Sequence, residues 1–156
     1  MIFKLQSLVW ISMVALLASN VLAEESNIKV SYCGSDDDIL SIQELSFEPE
    51  FIQPGDDVMI YGSGSLSKDI SLGTKVQVVL KYGGTDYYST TIDYCSFVQK
   101  KEIDGDLQCP VHEGDLEVAQ KVTIPKNIAK GVYTLHLQGT TDDGEPIGCA
   151  DLQATF

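Results

Sequence analysis

The 156-residue chain contains no arginine, and its two histidines, His112 and His136, stand far apart. Its one tryptophan, Trp10, lies within the first apolar run. Against 23 acidic residues there are only ten lysines, for a formal charge of −13. A nucleic-acid binder neutralises phosphates with a basic stripe, usually rich in arginine, so nucleic acid is excluded as a partner. Beyond residue 23 no apolar run is long enough to cross a bilayer, and no stretch sustains a helical period. An Asn-x-Ser/Thr acceptor for N-glycans is also missing.

The first 23 residues, MIFKLQSLVWISMVALLASNVLA, carry one charge, Lys4, then an apolar run from Leu8 to Ala18. Small residues sit where a signal peptidase reads, in Val21-Leu22-Ala23. This is the layout of a cleaved secretory signal peptide over 1–23. Its loss removes one positive charge, taking −13 to −14. Residues 24–30 then form a short terminal or pro segment, and 31–156 one domain with room for a core. The expected location is the secretory pathway, ending in a vacuolar lumen or outside the cell. A chain so acidic is repelled by anionic bilayers at neutral pH. That repulsion is expected to weaken as pH falls toward its pI of about 4.3.

In an oxidising compartment the four cysteines, 33, 95, 109 and 149, read as disulfides. Three pairings are open; the one we favour joins Cys95 to Cys109 as a local clip and Cys33 to Cys149 as a tie between the ends. Zinc would need more closely spaced ligands than Cys95, Cys109 and His112 offer, so no metal is expected. A cysteine nucleophile is lost if Cys95 is paired. Gly62-Ser63-Gly64-Ser65 has the letters of a hydrolase elbow in the wrong register. Asp104-Gly105-Asp106 and Asp142-Asp143-Gly144-Glu145 lack the ligand spacing of an EF-hand and read as turns. Nothing assembles an active site, and no cofactor is implied.

What the chain has in quantity is alternation of period two. Leu45, Phe47 and Phe51 oppose Glu44, Ser46, Glu48 and Glu50. Val58–Leu66 continues as a strand containing Gly62 and Gly64, which either leave room in a gap or bend an edge strand. Val76, Val78, Leu80 and Tyr82 share a face; Gly83-Gly84 turns the chain into TDYYSTTIDY. Leu116, Val118, Val122 and Ile124 alternate, as do Tyr133, Leu135 and Leu137, and then Ala150, Leu152, Ala154 and Phe156. His136, between Leu135 and Leu137, points to the surface. About seven short strands with turns between them predict an all-β sandwich of immunoglobulin-like type.

The order of these features resembles the ML lipid-recognition family over essentially the whole domain. The residues that carry the resemblance are Tyr32-Cys33-Gly34, Cys95 at the end of the fourth strand, Cys109-Pro110-Val111, Ile124-Pro125, and Gly148-Cys149-Ala150-Asp151-Leu152. Within that family it is most similar to fungal phosphatidylglycerol/phosphatidylinositol transfer proteins, relatives of the Niemann–Pick cholesterol carrier. The resemblance implies a non-enzymatic, monomeric carrier with a lipid cavity between splayed sheets. Its cargo would be a sterol or a phospholipid such as phosphatidylinositol or phosphatidylglycerol, exchanged in brief contacts with membranes or a membrane acceptor. Mouth positions map to Tyr87, Lys126, Ile128 and Lys130, and wall positions to Ile60, Val78, Leu80, Val122, Tyr133 and Leu135. In the cholesterol carrier the mouth is apolar or aromatic, whereas here it carries two lysines, which would favour an anionic phosphate headgroup. The competing expectations are an immunoglobulin-like recognition module for a protein partner and, behind it, a small secreted hydrolase.

Overall fold

A computed structural model describes residues 26–100, 105, 106 and 108–156. The signal peptide expected over 1–23 lies outside the described residues. Eight strands and one helical turn follow in the order β1 Ile28–Tyr32, β2 Leu40–Glu48, β3 Asp57–Leu66, β4 Lys75–Tyr82, β5 Thr85–Asp93, α1 Tyr94–Val98, β6 Gly114–Thr123, β7 Val132–Thr140 and β8 Pro146–Thr155. They form two antiparallel sheets, β1-β8-β7-β4-β5 and β2-β3-β6.

The alternation read from the sequence maps onto these strands with three differences. First, β1 begins at Ile28, so the domain reaches into the segment 24–30 set apart above. Ile28 and Val30 pair with Ala154 and Leu152 of β8, and five residues are too few for a periodic signal. Second, β2 starts at Leu40 rather than Glu44, because a bulge between Ile42 and Glu44 shifts the phase of the apolar positions. Third, Tyr94–Val98 makes a helical turn where a loop was expected. Asp93 caps it, its carboxylate accepting the Ser96 N–H at 2.8 Å.

β3 is the centre of its sheet, so its glycines do not bend an edge strand. A Cβ on Gly64 would run into the carbonyl oxygen of Ser41, beside the β2 bulge. One on Gly62 would lie 3.2 Å from Val118. Neither glycine opens room between the sheets; Gly64 lets two backbones approach.

Both disulfides join the favoured pairs, Cys33 to Cys149 and Cys95 to Cys109, with Cα separations of 4.9 and 5.3 Å. They stand at one end of the sandwich, beside the buried cluster Ile39, Leu66, Ile70, Val111 and Ile147. Ile70 and Val111 exchange backbone hydrogen bonds of 2.8 and 2.9 Å there. At the opposite end Tyr82, Tyr133 and Phe156 stack, with ring centres 4.9 and 5.9 Å apart. Between the two ends the inward-facing Val78, Leu80, Leu135 and Ile60 are only half-buried. The two sheets approach each other most closely at β2 and β8. A Cβ on Gly148 would meet Leu40 at 3.6 Å there.

Candidate lipid site

Inward-facing side chains on β4 and β7 come in register, Val76 with Gly139, Val78 with Leu137 and Leu80 with Leu135. Leu137 in turn faces Ala150 of β8. On the other sheet Gly64 lies beside Leu116 and Gly62 beside Val118. Near the disulfides these faces do not meet. They leave a cavity of about 300 Å³ between Leu40, Leu66, Val76, Leu116, Leu137, Ile147 and Ala150. That is the lower end of the range for small-ligand pockets, which are mostly apolar with a few polar groups. Its walls are overwhelmingly hydrocarbon, and polar side chains enter the lining at Thr74, Tyr94, Asp106, Gln108 and Glu117.

Asp106 and Gln108, from the cysteine-bracketed stretch, help to wall this space. Tyr94 packs against the buried cluster and donates its hydroxyl to the Gln108 carbonyl at 3.0 Å. Burial raises the pKa of that hydroxyl, keeping it neutral. The Asp106 N–H reaches the Ala119 carbonyl on β6 at 3.0 Å, tying the stretch to the second sheet.

Of the residues assigned from the sequence, Tyr133 joins the aromatic stack, and its hydroxyl donates to the Ala129 carbonyl at 3.1 Å. Tyr82 donates likewise to Lys130 at 2.9 Å. The stem of Lys126 covers Gly55. Ile128 is half-buried in the same connection, while Tyr87 is 75% exposed next to the β4–β5 bulge. The four mouth positions therefore gather at the aromatic end. The wall positions Ile60, Val78, Leu80, Val122 and Leu135 occupy the length of gap between that end and the cavity, and none of them lines the cavity. Sequence reasoning missed most of the lining. Ile70, Thr74, Val111 and Ile147 lie in connections or next to a bulge, so no period marks them.

His136, on the outer face, has its Nδ1 2.8 Å from Asp151. His112 has its Nδ1 3.2 Å from Asp69, which also accepts the Glu113 N–H at 2.7 Å. That N–H, then His112, holds the Asp69 carboxyl below the usual aspartate range. Among the described residues one group has metal-ligand proximity, Cys33, His136 and Cys149. Its two sulfurs are bonded to each other and are not available as thiolates.

Comparison with known proteins places this geometry in context. The ML-domain family model matches residues 27–156. A phosphatidylglycerol/phosphatidylinositol transfer protein of Pyricularia oryzae is 31% identical over 143 residues, covering 92% of this chain and 78% of that protein. The protein of the same name from Mycosarcoma maydis is 29% identical over 126 residues, 81% of this chain. This chain spans 64% of that relative's length. Among solved structures, chicken MD-1 complexed with lipid IVa superposes with a TM-score of 0.57 at 20% identity, covering 85% of this chain and 92% of that one. A Niemann-Pick type C2 protein from Japanese carpenter ant gives 0.55 at 15%, covering 81% and 98%. At these identities the two structures support the sandwich fold and nothing finer.

Proposed function

The chain belongs to the ML-domain family, and from that premise we propose that it is a non-enzymatic lipid-transfer protein carrying one sterol or phospholipid between membranes. The observation that carries this reading is the apolar cavity of about 300 Å³ between the sheets. Burying hydrocarbon there gains roughly 0.8 kcal/mol per methylene, enough to hold a chain without a covalent bond. The names of the fungal relatives support phosphatidylinositol or phosphatidylglycerol as cargo. In this reading the tail occupies the disulfide-end cavity, and Val78, Leu80, Leu135 and Ile60 line its path. The headgroup stays at the aromatic end near Tyr87, Ile128 and the two lysines. Two disulfides suit an oxidising compartment, in the secretory pathway, a vacuolar lumen or outside the cell.

Native mass spectrometry of protein exposed to mixed vesicles, followed by organic extraction, tests the proposal. A single stoichiometric lipid and transfer between donor and acceptor vesicles are expected. A compact, empty protein that moves no lipid would overturn it. Replacing Lys126 and Lys130 together by Ala should weaken phosphatidylinositol binding more than sterol binding, and equal losses would remove the lysines from the headgroup site.

A further inference from the structure

The two disulfides differ in access. Cys95 is fully buried, whereas Cys33 is exposed and its partner Cys149 half-buried. Thiol exchange needs a reachable sulfur, so a reductant opens the Cys33–Cys149 bond first. A ring nitrogen of His136 and the sulfurs of Cys33 and Cys149 all lie within 4.8 Å of one another. Backbone pairing holds these residues together without the S–S bond. The Cys33 N–H donates to the Cys149 carbonyl at 3.0 Å, and β7 pairs with β8 from Gln138 and Cys149 through His136 and Asp151. His136 has its Nδ1 2.8 Å from an Asp151 carboxylate oxygen. A carboxylate there fixes the ring and leaves Nε2 as the free donor atom, the arrangement found behind metal-binding histidines.

We propose that opening the Cys33–Cys149 bond turns this cluster into a zinc site, with Cys33, Cys149 and His136 as ligands and Asp151 positioning the imidazole. The reductant is a dithiol. One of its thiolates attacks the exposed Cys33 sulfur, and the S–S bond breaks with its electron pair leaving on Cys149. The second thiol then closes the reductant's own disulfide and frees Cys33. Two electrons thus pass to the protein, and the two cysteines give up their protons to water as Zn2+ binds. Two sulfurs and a nitrogen suit zinc, which takes thiolate at about 2.3 Å and imidazole at about 2.0–2.1 Å. The sulfurs must part to roughly 3.8 Å in a tetrahedral site. Side-chain rotation provides that where the Cα atoms are 4.9 Å apart. Water fills the fourth position. The metal replaces a covalent tie between the chain ends by a coordinate one, and the site is independent of what the cavity carries.

The test opens the tie in the folded protein with a trialkylphosphine, in the presence of zinc. A phosphine reduces disulfides without competing for the metal as a dithiol would. Alkylation after metal removal, read by mass spectrometry, should find Cys33 and Cys149 modified and Cys95 and Cys109 still joined. The reduced protein should bind one equivalent of zinc, and cobalt in its place should give a thiolate charge-transfer band. Zinc should raise the thermal midpoint of the reduced protein and leave that of the oxidised protein unchanged. Asp151→Asn should weaken zinc roughly 10- to 100-fold, and His136→Gln or His136→Ala by more. Asp151→Glu should recover most of the affinity. A reduced protein that unfolds or takes up no zinc, equal uptake by the oxidised protein, or unchanged affinity in both His136 variants would overturn the site. So would opening of Cys95–Cys109 ahead of Cys33–Cys149. Unchanged affinity in Asp151→Asn would remove its positioning role.

Discussion

The two ends of the sandwich are closed by different chemistry. At the disulfide end, covalent ties stand beside the buried cluster Ile39, Leu66, Ile70, Val111 and Ile147. At the aromatic end, closure depends on hydrogen bonds. Tyr82 and Tyr133 hold the backbone of Lys130 and Ala129. Asn27 grips Ile52 with both ends of its amide, donating to the carbonyl and accepting the N–H, each at 2.8 Å. The cavity lies at the covalently braced end. A hollow forfeits the packing that a filled core would supply, and its walls need support from elsewhere. Cross-links provide that support without filling the space. The hydrogen-bonded end can open locally at lower cost.

Breaking the braces should have the largest effect. Replacing Cys33 and Cys149 together by Ser opens a tie across 116 residues of sequence, and chain entropy puts the loss near 4.7 kcal/mol. The clip from Cys95 to Cys109, across 14 residues, should cost about 3 kcal/mol. Urea unfolding of both double variants measures the pair. A smaller loss for the long tie than for the clip would contradict the entropic account.

Next in size is Gly64→Ala, which drives a methyl group into the Ser41 carbonyl at the braced end and should cost about 1–3 kcal/mol. Gly62→Ala meets only side chains, Val118 and Leu45, and should cost visibly less in the same assay. Tyr82→Phe and Tyr133→Phe each remove one hydroxyl-to-carbonyl bond at the other end, for about 0.5–1.5 kcal/mol. Hydrogen exchange should speed in residues 125–131 and stay unchanged at Ile70 and Val111. Equal acceleration at both ends would mean that the ends do not open independently.

The smallest effect is electrostatic and depends on pH. The Glu113 N–H and then His112 lower the pKa of Asp69 at the braced end. The Thr123 hydroxyl and then Lys121 lower that of Asp57 at the other. A carboxyl with a depressed folded pKa stabilises the protein above its unfolded value of about 3.9, and that contribution fades as pH falls through the lower folded value. Asp69→Asn and Asp57→Asn should therefore lower the melting temperature at pH 6–7 and converge with wild type near pH 2. Thermal scans across that range would show a constant offset if the aspartates act through something other than their charge.

Much of the framework was legible because it is periodic. Val76, Val78 and Leu80, or Tyr133, Leu135 and Leu137, can be placed on one face from spacing alone, since successive strand residues point to opposite sides. The bulge at Ile42 hid the start of β2 by shifting that phase. Ile70, Val111 and Ile147 carry no such mark, yet they line the cavity together with periodic residues such as Val76 and Leu137. Gly62 and Gly64, read from the sequence as leaving room or bending an edge strand, lie in the central strand of their sheet, against side chain and backbone.

Alternation, turn residues and cysteine number determined by themselves that this chain forms β-strands packed as a sandwich, because those signals are local and repeat along the backbone. Where the sheets part and which side chains border the hollow were decided only when distant segments met. An empty space belongs to all of its walls at once, and no single stretch of sequence encodes it.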